Sequence, residues 1–115
     1  MLAEKYFLVI QNGVRAGQRI PIHKWMNATG GGNKVSIGMT GDCEIQMNWE
    51  KSNKVAKEHA QLYIDHEKQL PMLKPLATGV IYNTRAELGV GKPNVLSNND
   101  TFKIGDTIFQ YVETE

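Results

Sequence analysis

Three lysines recur at every third position of one polar segment, and an array of this kind can hold an anion. Lys51, Lys54 and Lys57 lie in the stretch 50–57. Lysine ammonium groups bind phosphate and carboxylate oxygens as mobile point charges. Evenly scattered lysines also occur in solvated turns that bind nothing. The spacing therefore leaves two interpretations open, an anion-binding loop and a charged surface turn.

The glycine-rich stretches do not complete a nucleotide-binding motif. A P-loop needs a glycine five positions before its Gly-Lys pair and Ser or Thr after it, but Ala86 and Pro93 flank the pair at 91–92. The stretch 30–32 lacks the last glycine of the dinucleotide fingerprint, because that position is Val35. We therefore predict no nucleotide cofactor, and nothing else in the sequence calls for a cofactor of another kind.

Histidine, cysteine and serine residues form no metal-binding or catalytic pattern. His23 and His59 are far apart in sequence, and the run 65–67 (Asp-His-Glu) directs consecutive side chains to opposite faces of a strand. Cys43 is the single cysteine and has no histidine beside it. No serine lies in a Gly-x-Ser-x-Gly elbow. We predict no metal site and a protein that is not an enzyme.

The composition is that of one ordinary globular domain. The chain has 115 residues, a mass of 12.9 kDa and 41% hydrophobic residues, enough for one core but not two. Thirteen Lys plus Arg balance 12 Asp plus Glu, so a net charge of +1 gives no field that favours nucleic acid. We predict a single domain over residues 1–115, standing alone or within a larger protein. The oligomeric state stays open.

The apolar runs are short. The run 6–10 is too short to span a bilayer or to form the core of a signal peptide. A single cysteine suits a reducing compartment. We therefore predict a cytoplasmic protein, or a cytosolic domain of a larger one, without direct membrane contact.

These candidate residues are separated by short β-type runs and turn residues, with no convincing helical periodicity. About eleven short strands favour an all-β protein, a sandwich of two sheets. Gly13 and Gly17 bracket a predicted hairpin turn, and the dipeptide 105–106 marks another. The predicted strands are 5–11, 18–23, 34–37, 44–47, 60–65, 72–76, 80–82, 87–88, 95–97, 101–104 and 107–113.

Several motifs together resemble the forkhead-associated (FHA) domain. The segments Val35–Gly38, Gly41–Met47 and His59–Leu62 look like the first half of that family, and Phe102–Thr107 looks like its closing hairpin. The resemblance extends from about residue 6 to residue 113. It implies an FHA-type sandwich of eleven strands whose loops, at one end, bind a phosphothreonine peptide.

The resemblance also implies roles for individual residues. Its peptide- or partner-binding positions are Met39, Thr40, Ser52, Asn53, Lys54, Lys57, Thr78 and Asn83. Its structural positions are Gly38, His59, Gly79, Gly105 and Asp106, with the histidine bracing the loops. Asn83 corresponds to a family asparagine that more often shapes a turn.

The chain departs from the family where the phosphate should be held. Met39 replaces the usual arginine, Ala56 replaces a serine, and Thr78 is the nearest polar group to the position of a missing asparagine. Each charged hydrogen bond contributes about 1.5–3 kcal/mol, so losing several weakens a micromolar site to about millimolar or weaker.

Two functions follow from this depleted pattern. The first is a protein-interaction scaffold that binds without phosphate or binds phosphopeptides only weakly. It predicts a protein-contacting patch near Met39, Met47, Trp49 and Trp25, although Met47 is favoured as a core residue. The alternative is phosphothreonine recognition through a substitute lysine-rich loop with Lys54 and Lys57, near Thr40, Ser52 and Thr78.

Overall fold

The computed structural model describes residues 6–22, 34–41, 43–51, 54–65, 67, 70–83 and 85–113. Within them the chain forms eleven β-strands and one short 3-10 helix at Gly13–Arg15. The strands are β1 Tyr6–Ile10, β2 Arg19–Pro21, β3 Lys34–Gly38, β4 Ile45–Gln46, β5 Ala60–Asp65, β6 Leu70–Pro75, β7 Ile81–Tyr82, β8 Ala86–Glu87, β9 Asn94–Val95, β10 Thr101–Ile104 and β11 Thr107–Glu113. No helix in these ranges has the length and apolar character needed to cross a membrane.

The strands form two sheets, which confirms the predicted all-β sandwich. One sheet has six strands in the order β2-β1-β11-β10-β7-β8, and the other has five in the order β4-β3-β5-β6-β9. The β3–β4 pair is parallel, whereas β3–β5 and β5–β6 are antiparallel. Each sheet directs one face to a shared apolar core.

Side-chain alternation along the last two strands explains how the core is filled. Phe102 on β10 lies opposite Phe109 on β11, and their rings stack with centroids 5.3 Å apart. Both are fully buried, as are Ile104 and Tyr111 on the same face. Ile108 pairs with Lys103 and therefore points to the other face. The apolar residues of this hairpin therefore do not all point one way.

The first hairpin is fastened to the last one. Gly13 and Gly17 have φ angles of 77° and 89°, which glycine adopts without strain, and they confirm the predicted β1–β2 turn. The Asn12 side chain donates from Nδ2 to the Asp106 carbonyl oxygen at 2.8 Å. Its Oδ1 accepts from the Ile108 backbone N–H at 2.9 Å. The β1–β2 and β10–β11 turns therefore lie together at one end of the sandwich.

The strand β6 begins two residues earlier than its sequence pattern predicts. We expected 72–76, but β6 starts at Leu70 and contains Pro71. Pro71 pairs with Ile64, and its carbonyl oxygen accepts a hydrogen bond from the Leu96 N–H at 2.9 Å. A proline is compatible with a strand wherever its missing N–H is not required, so it does not end this one.

Candidate functional site

The loop after β3 is joined to the loop before β5 through one carbonyl oxygen. A Cβ atom on Gly38 would lie 2.1 Å from the carbonyl oxygen of Lys57, so no side chain fits there. That oxygen accepts hydrogen bonds from the backbone N–H groups of Met39 at 3.0 Å and Thr40 at 3.3 Å. It also accepts from the Thr40 hydroxyl and the Cys43 thiol, each at 3.3 Å. Met39, Thr40 and Cys43, on the loop after β3, are therefore hydrogen-bonded to the loop before β5.

His59 braces the neighbouring loops from inside. Its side chain is only 1% exposed, and its Nδ1 accepts a hydrogen bond from the Ala56 N–H at 3.0 Å. Its backbone N–H donates to the Ile37 carbonyl oxygen at 2.7 Å, and its own carbonyl oxygen accepts from the Leu76 N–H at 2.8 Å. One residue thus connects β3, the loop before β5 and the loop after β6. The FHA resemblance assigns a bracing role to this same residue.

The His59 imidazole is held in its neutral form. Burial lowers the pKa of His59, and the backbone of Thr78 raises it by less. Since Nδ1 accepts from a backbone N–H, a proton there would place two hydrogens against each other. Nε2 is buried and makes no hydrogen bond of normal geometry with the described residues.

Three connections meet around an open cleft of about 390 Å³, which we call the lysine cleft. It is lined by Lys54 from the loop before β5, Thr78 and Gly79 from the loop after β6, and Gly105 from the β10–β11 turn. Lys54 and Thr78 are exposed. An ammonium group and a hydroxyl group on one cleft can together hold an anion.

A carboxylate already contacts one edge of this region. The backbone N–H of Gly79 donates to Oε2 of Glu87 at 3.2 Å, and Glu87 lies on the short strand β8. Gly79 has a φ of 93°, which places it in the left-handed region that favours glycine. The loop after β6 is therefore positioned in part by this charge-assisted hydrogen bond.

The predicted site residues fall into separate groups. The lysine cleft contains Lys54, Thr78, Gly79 and Gly105, whereas Met39 is half-buried against the core. The side chain of Lys57 is exposed and does not line the cleft, while its carbonyl oxygen joins two loops. Ser52, Asn53 and Trp25 lie outside the described residues.

Asn83 is occupied with the turn after β7. Its φ is 51°, and its Oδ1 accepts from the Thr101 backbone N–H at 2.7 Å and from the Thr101 hydroxyl at 3.3 Å. Its own N–H donates to the Thr101 carbonyl oxygen at 2.8 Å. These contacts fix the approach of β7 to β10, at a position to which the FHA resemblance gives a turn-shaping role.

A second cleft, of about 220 Å³, was not foreseen from the sequence, and we call it the tryptophan cleft. Its walls include Val14 from the β1–β2 turn, Trp49 and Lys51 from the loop before β5, and Asp106 from the β10–β11 turn. Trp49 is half-buried against the core, whereas Met47 is fully buried and is confirmed as a core residue. The sequence pattern carried little sign of this cleft, because the residues that line it come from distant segments of the chain.

The described residues contain no cluster of three or more His, Cys, Asp or Glu side chains that could hold a metal ion. The lysine cleft instead presents an ammonium and a hydroxyl group, and the tryptophan cleft presents an indole ring beside charged groups. Groups of these kinds contact anions and peptide side chains.

Comparison with known proteins identifies the fold through structure and not through sequence. No protein-family model matches the chain, and no curated protein does so. The FHA domain of the CT664 protein from Chlamydia trachomatis matches with a TM-score of 0.70 and 18% identity, covering 96% of this chain and 99% of that one.

Two further solved structures give the same result. The N-terminal FHA domain of S. cerevisiae Rad53p, in complex with a phosphothreonine peptide, matches with a TM-score of 0.72 and 13% identity, covering 96% of this chain and 94% of that one. The FhaA FHA domain, complexed with the intracellular domain of Rv3910, matches with a TM-score of 0.65 and 18% identity, covering 92% and 98% respectively. The resemblance drawn from the sequence motifs is confirmed at the level of architecture, and the chain has the fold of forkhead-associated domains.

Proposed function

We propose that this domain is a protein-interaction module that binds a phosphothreonine-containing segment weakly through the lysine cleft. The observation that carries the proposal is the convergence of Lys54, Thr78, Gly79 and Gly105, from three separate connections, on one open cleft. Solved FHA domains of the same fold include one in complex with a phosphothreonine peptide, which supports this kind of ligand.

The chemistry of the cleft suits a phosphate group better than a neutral side chain. A phosphothreonine carries a charge of about −1.5 to −2 and three strong acceptor oxygens. Lys54 offers an ammonium group and Thr78 a hydroxyl, while Gly79 and Gly105 place no side chain in the way. Lys57 is exposed on the same loop as Lys54 and adds to the positive field.

The same geometry explains why the binding should be weak. Met39 stands where the family has an arginine and packs half-buried against the core, and Ala56 offers no hydroxyl. A lysine holds phosphate as a point charge and lacks the bidentate geometry of a guanidinium. We therefore expect dissociation constants of about a millimolar, with recognition and no catalysis.

Phosphate-independent binding of a protein surface is the second candidate. The half-buried, partly accessible Met39 and Trp49 favour it, since both residue types suit protein contacts. In that case the partner would contact the loop end without placing an anion beside Lys54.

A titration followed by NMR separates the two candidates. The labelled domain is titrated at low salt with a degenerate phosphothreonine peptide pool and with the same pool unphosphorylated. Movement of the amides of Lys54–Lys57 and Thr78–Gly79 with the phosphorylated pool alone supports phosphothreonine recognition. Equal movement with both pools supports the second candidate, and absence of movement with both removes the proposal.

A pair of variants tests the cleft itself. Lys54→Ala should weaken phosphopeptide binding by roughly tenfold, because a charged partner of the phosphate is lost. Lys92→Ala is the matched control, since Lys92 is an exposed lysine that does not line the cleft. Equal binding by the two variants would contradict the assignment of Lys54.

A further inference from the structure

The outer face of the five-stranded sheet, directed away from the core, carries a row of apolar and aromatic side chains. Tyr63 on β5 lies opposite Met72 on β6, and Met72 lies opposite Val95 on β9. The adjacent pair, Leu62 and Leu73, is fully buried in the core. Since consecutive side chains of a strand point to opposite faces, the row with Met72 points outward.

Leu70 extends this apolar surface by one row. It lies opposite Asp65, at the end of the β5–β6 pair. Leu70 is 38% exposed and Val95 is 43% exposed, whereas Met72 is only 7% exposed although it lies outside the core cluster. Two exposed apolar side chains therefore border one nearly covered methionine. We call the surface formed by Tyr63, Leu70, Met72 and Val95 the apolar face.

Charged side chains of opposite sign lie in the two rows of the apolar face. Lys34 on β3 lies opposite Tyr63 and so belongs to the row of Met72, whereas Asp65 belongs to the row of Leu70. Burial raises the pKa of Tyr63, and the nearby Asp65 carboxylate raises it further. A positive and a negative group thus lie one row apart on neighbouring strands.

The outer face of the six-stranded sheet has a different centre. Lys103 on β10 lies between Ile108 on β11 and Ile81 on β7, near the middle of that sheet. Phe102 and Ile104, on either side of Lys103 in the chain, are fully buried, so the lysine points outward. A two-fold contact through the centre of that face would bring two lysines together and would be repulsive. The five-stranded sheet is therefore better suited to contact with a second copy.

We propose that the apolar face binds a second copy of this chain in a two-fold symmetric dimer. Its axis lies between the two sheets, perpendicular to the strands and midway between the rows of Leu70 and Met72. Such an axis exchanges the two rows, so Leu70 of each copy lies over Met72 of the other. It also brings Asp65 of one copy beside Lys34 of the other, which pairs opposite charges.

The apolar face is small, so we expect a weak dimer. Four strands about 4.8 Å apart and a few rows about 7 Å apart cover well under the roughly 800 Å² per partner of a standard stable interface. We expect a dissociation constant of about 0.1–1 mM. This interface is independent of the proposed function, because the residues that line the lysine cleft are not part of the apolar face.

A concentration series of the isotope-labelled chain tests the dimer. The rotational correlation time is measured by amide nitrogen relaxation from about 20 µM to about 2 mM, a range that spans the expected constant. We expect it to rise by about 1.5- to 2-fold, because dimer formation follows mass action. The amides of β5, β6 and β9 should shift over the same range. A correlation time that stays constant overturns the inference.

Matched lysine substitutions locate the interface. Val95→Lys and Leu70→Lys each place an ammonium group in the apolar face and should weaken the association by about tenfold or more. Lysine is common on exposed edge strands such as β9, so Val95→Lys should fold. Val14→Lys is the control, because it makes the same change of charge at a side chain that is 83% exposed on the β1–β2 turn. Dimerisation that persists in both apolar-face variants, or is lost equally in Val14→Lys, overturns the inference.

Two charge reversals test the electrostatic part. Lys34→Glu places a carboxylate beside Asp65 of the second copy and should weaken the association by about threefold. Lys103→Glu makes the same change on the other sheet and should have no effect. An equal or stronger effect of Lys103→Glu would contradict the assignment to the five-stranded sheet. Phosphopeptide affinity should be the same in Val95→Lys and the wild type, and absence of phosphopeptide binding in both would remove the proposed function alone.

Discussion

The two sides of the loop end use their polar groups differently. On the side of the loop after β3, the Thr40 hydroxyl and the Cys43 thiol both donate to the carbonyl oxygen of Lys57. On the side of the lysine cleft, Lys54 and Thr78 remain exposed to solvent. We call the first the closed side, because its hydroxyl and thiol make internal hydrogen bonds, and the second the open side, because two of its polar side chains are accessible to solvent. Loops at one end of the same fold can therefore use their polar side chains in different ways.

The residues that hold the loops in place are different from those expected to contact a ligand. Gly38 and His59 connect the loops through backbone contacts and buried hydrogen bonds. A binding site on these loops needs such connections whatever its ligand. The FHA resemblance assigns Met39 and Ala56 to positions where it implies ligand-contacting groups. That assignment stays a prediction, and it implies that the chain keeps the structural residues of the motif while two ligand-contacting residues are replaced.

Gly38→Ala should disrupt the contact between the loops on the closed side, and it should have the largest effect of the substitutions in this series. Its new Cβ would lie 2.1 Å from the Lys57 carbonyl oxygen and 2.9 Å from the Glu58 Cα, and neither backbone atom can move freely. We expect the free energy of unfolding to fall by about 3 kcal/mol or more. Urea unfolding followed by tryptophan fluorescence measures the loss.

Gly41→Ala is the control for that substitution, because a Cβ there meets no heavy atom of the described residues within 4 Å. Its free energy of unfolding should stay within about 0.5 kcal/mol of the wild type. Similar losses of unfolding free energy in both variants would mean that position 38 requires glycine for loop flexibility and not because the two loops approach closely.

Met39→Arg should raise phosphopeptide affinity, because it places on the closed side the guanidinium that the FHA resemblance implies at this position. Met39 is half-buried, and an arginine there can lay its methylene groups along the core while its guanidinium reaches solvent. One charged hydrogen-bonding group contributes about 1.5–3 kcal/mol, so phosphopeptide affinity should rise about ten- to hundredfold. The NMR titration of the variant with phosphorylated and unphosphorylated pools measures the gain.

A lysine at the same position distinguishes geometry from charge. Met39→Lys adds an equal charge without the planar fork of the guanidinium and should give a smaller gain. An equal increase in both variants would show that net positive charge alone limits binding.

The buried His59 makes the loop bracing sensitive to pH. The pKa of His59 is lowered in the folded protein because burial disfavours the charged imidazolium. The unfolded chain then binds more protons below the ordinary histidine pKa of about 6.5, so folding stability should fall as the pH drops through that value. The free energy of unfolding at pH 7.5 and pH 5.5 tests the sign.

His59→Asn isolates this contribution from the other histidines. Asparagine offers an acceptor for the Ala56 N–H but does not titrate. The variant should be less stable than the wild type at pH 7.5 and should lose less stability on acidification. If both proteins lose the same amount, another group causes the pH dependence.

Strands with clean alternation were predictable from the sequence. The predicted bounds of β5, β10 and β11 agree with the structure, and buried and accessible residues alternate over at least the first four residues of each of these strands. The two-residue strands β8 and β9 begin one residue earlier than predicted. Such short strands are defined by their pairing partners, and their own sequence carries little of that information.

The candidate site was only partly predictable, for a physical reason. Lys54, Thr78 and Gly105 meet only after the strands have paired, so the FHA resemblance could suggest their proximity but sequence spacing could not. Lys57 was selected for its ammonium group, whereas its best-defined contacts use a backbone carbonyl oxygen. A residue's type does not reveal the role of its backbone.

Glu87→Gln should raise phosphopeptide affinity on the open side, and this should be the smallest effect of the series. The Glu87 carboxylate accepts from the Gly79 N–H and places a negative charge beside the cleft where we propose that phosphate binds. Glutamine keeps an acceptor for that N–H but removes the charge, so phosphopeptide affinity should rise by about two- to threefold at low salt. The gain should shrink as salt is added, because screening weakens the repulsion that the substitution removes. Glu44→Gln is a suitable control, since the Glu44 carboxylate accepts from the Ser36 N–H on the closed side. An affinity that rises equally in both variants would assign the effect to overall charge and not to the edge of the lysine cleft.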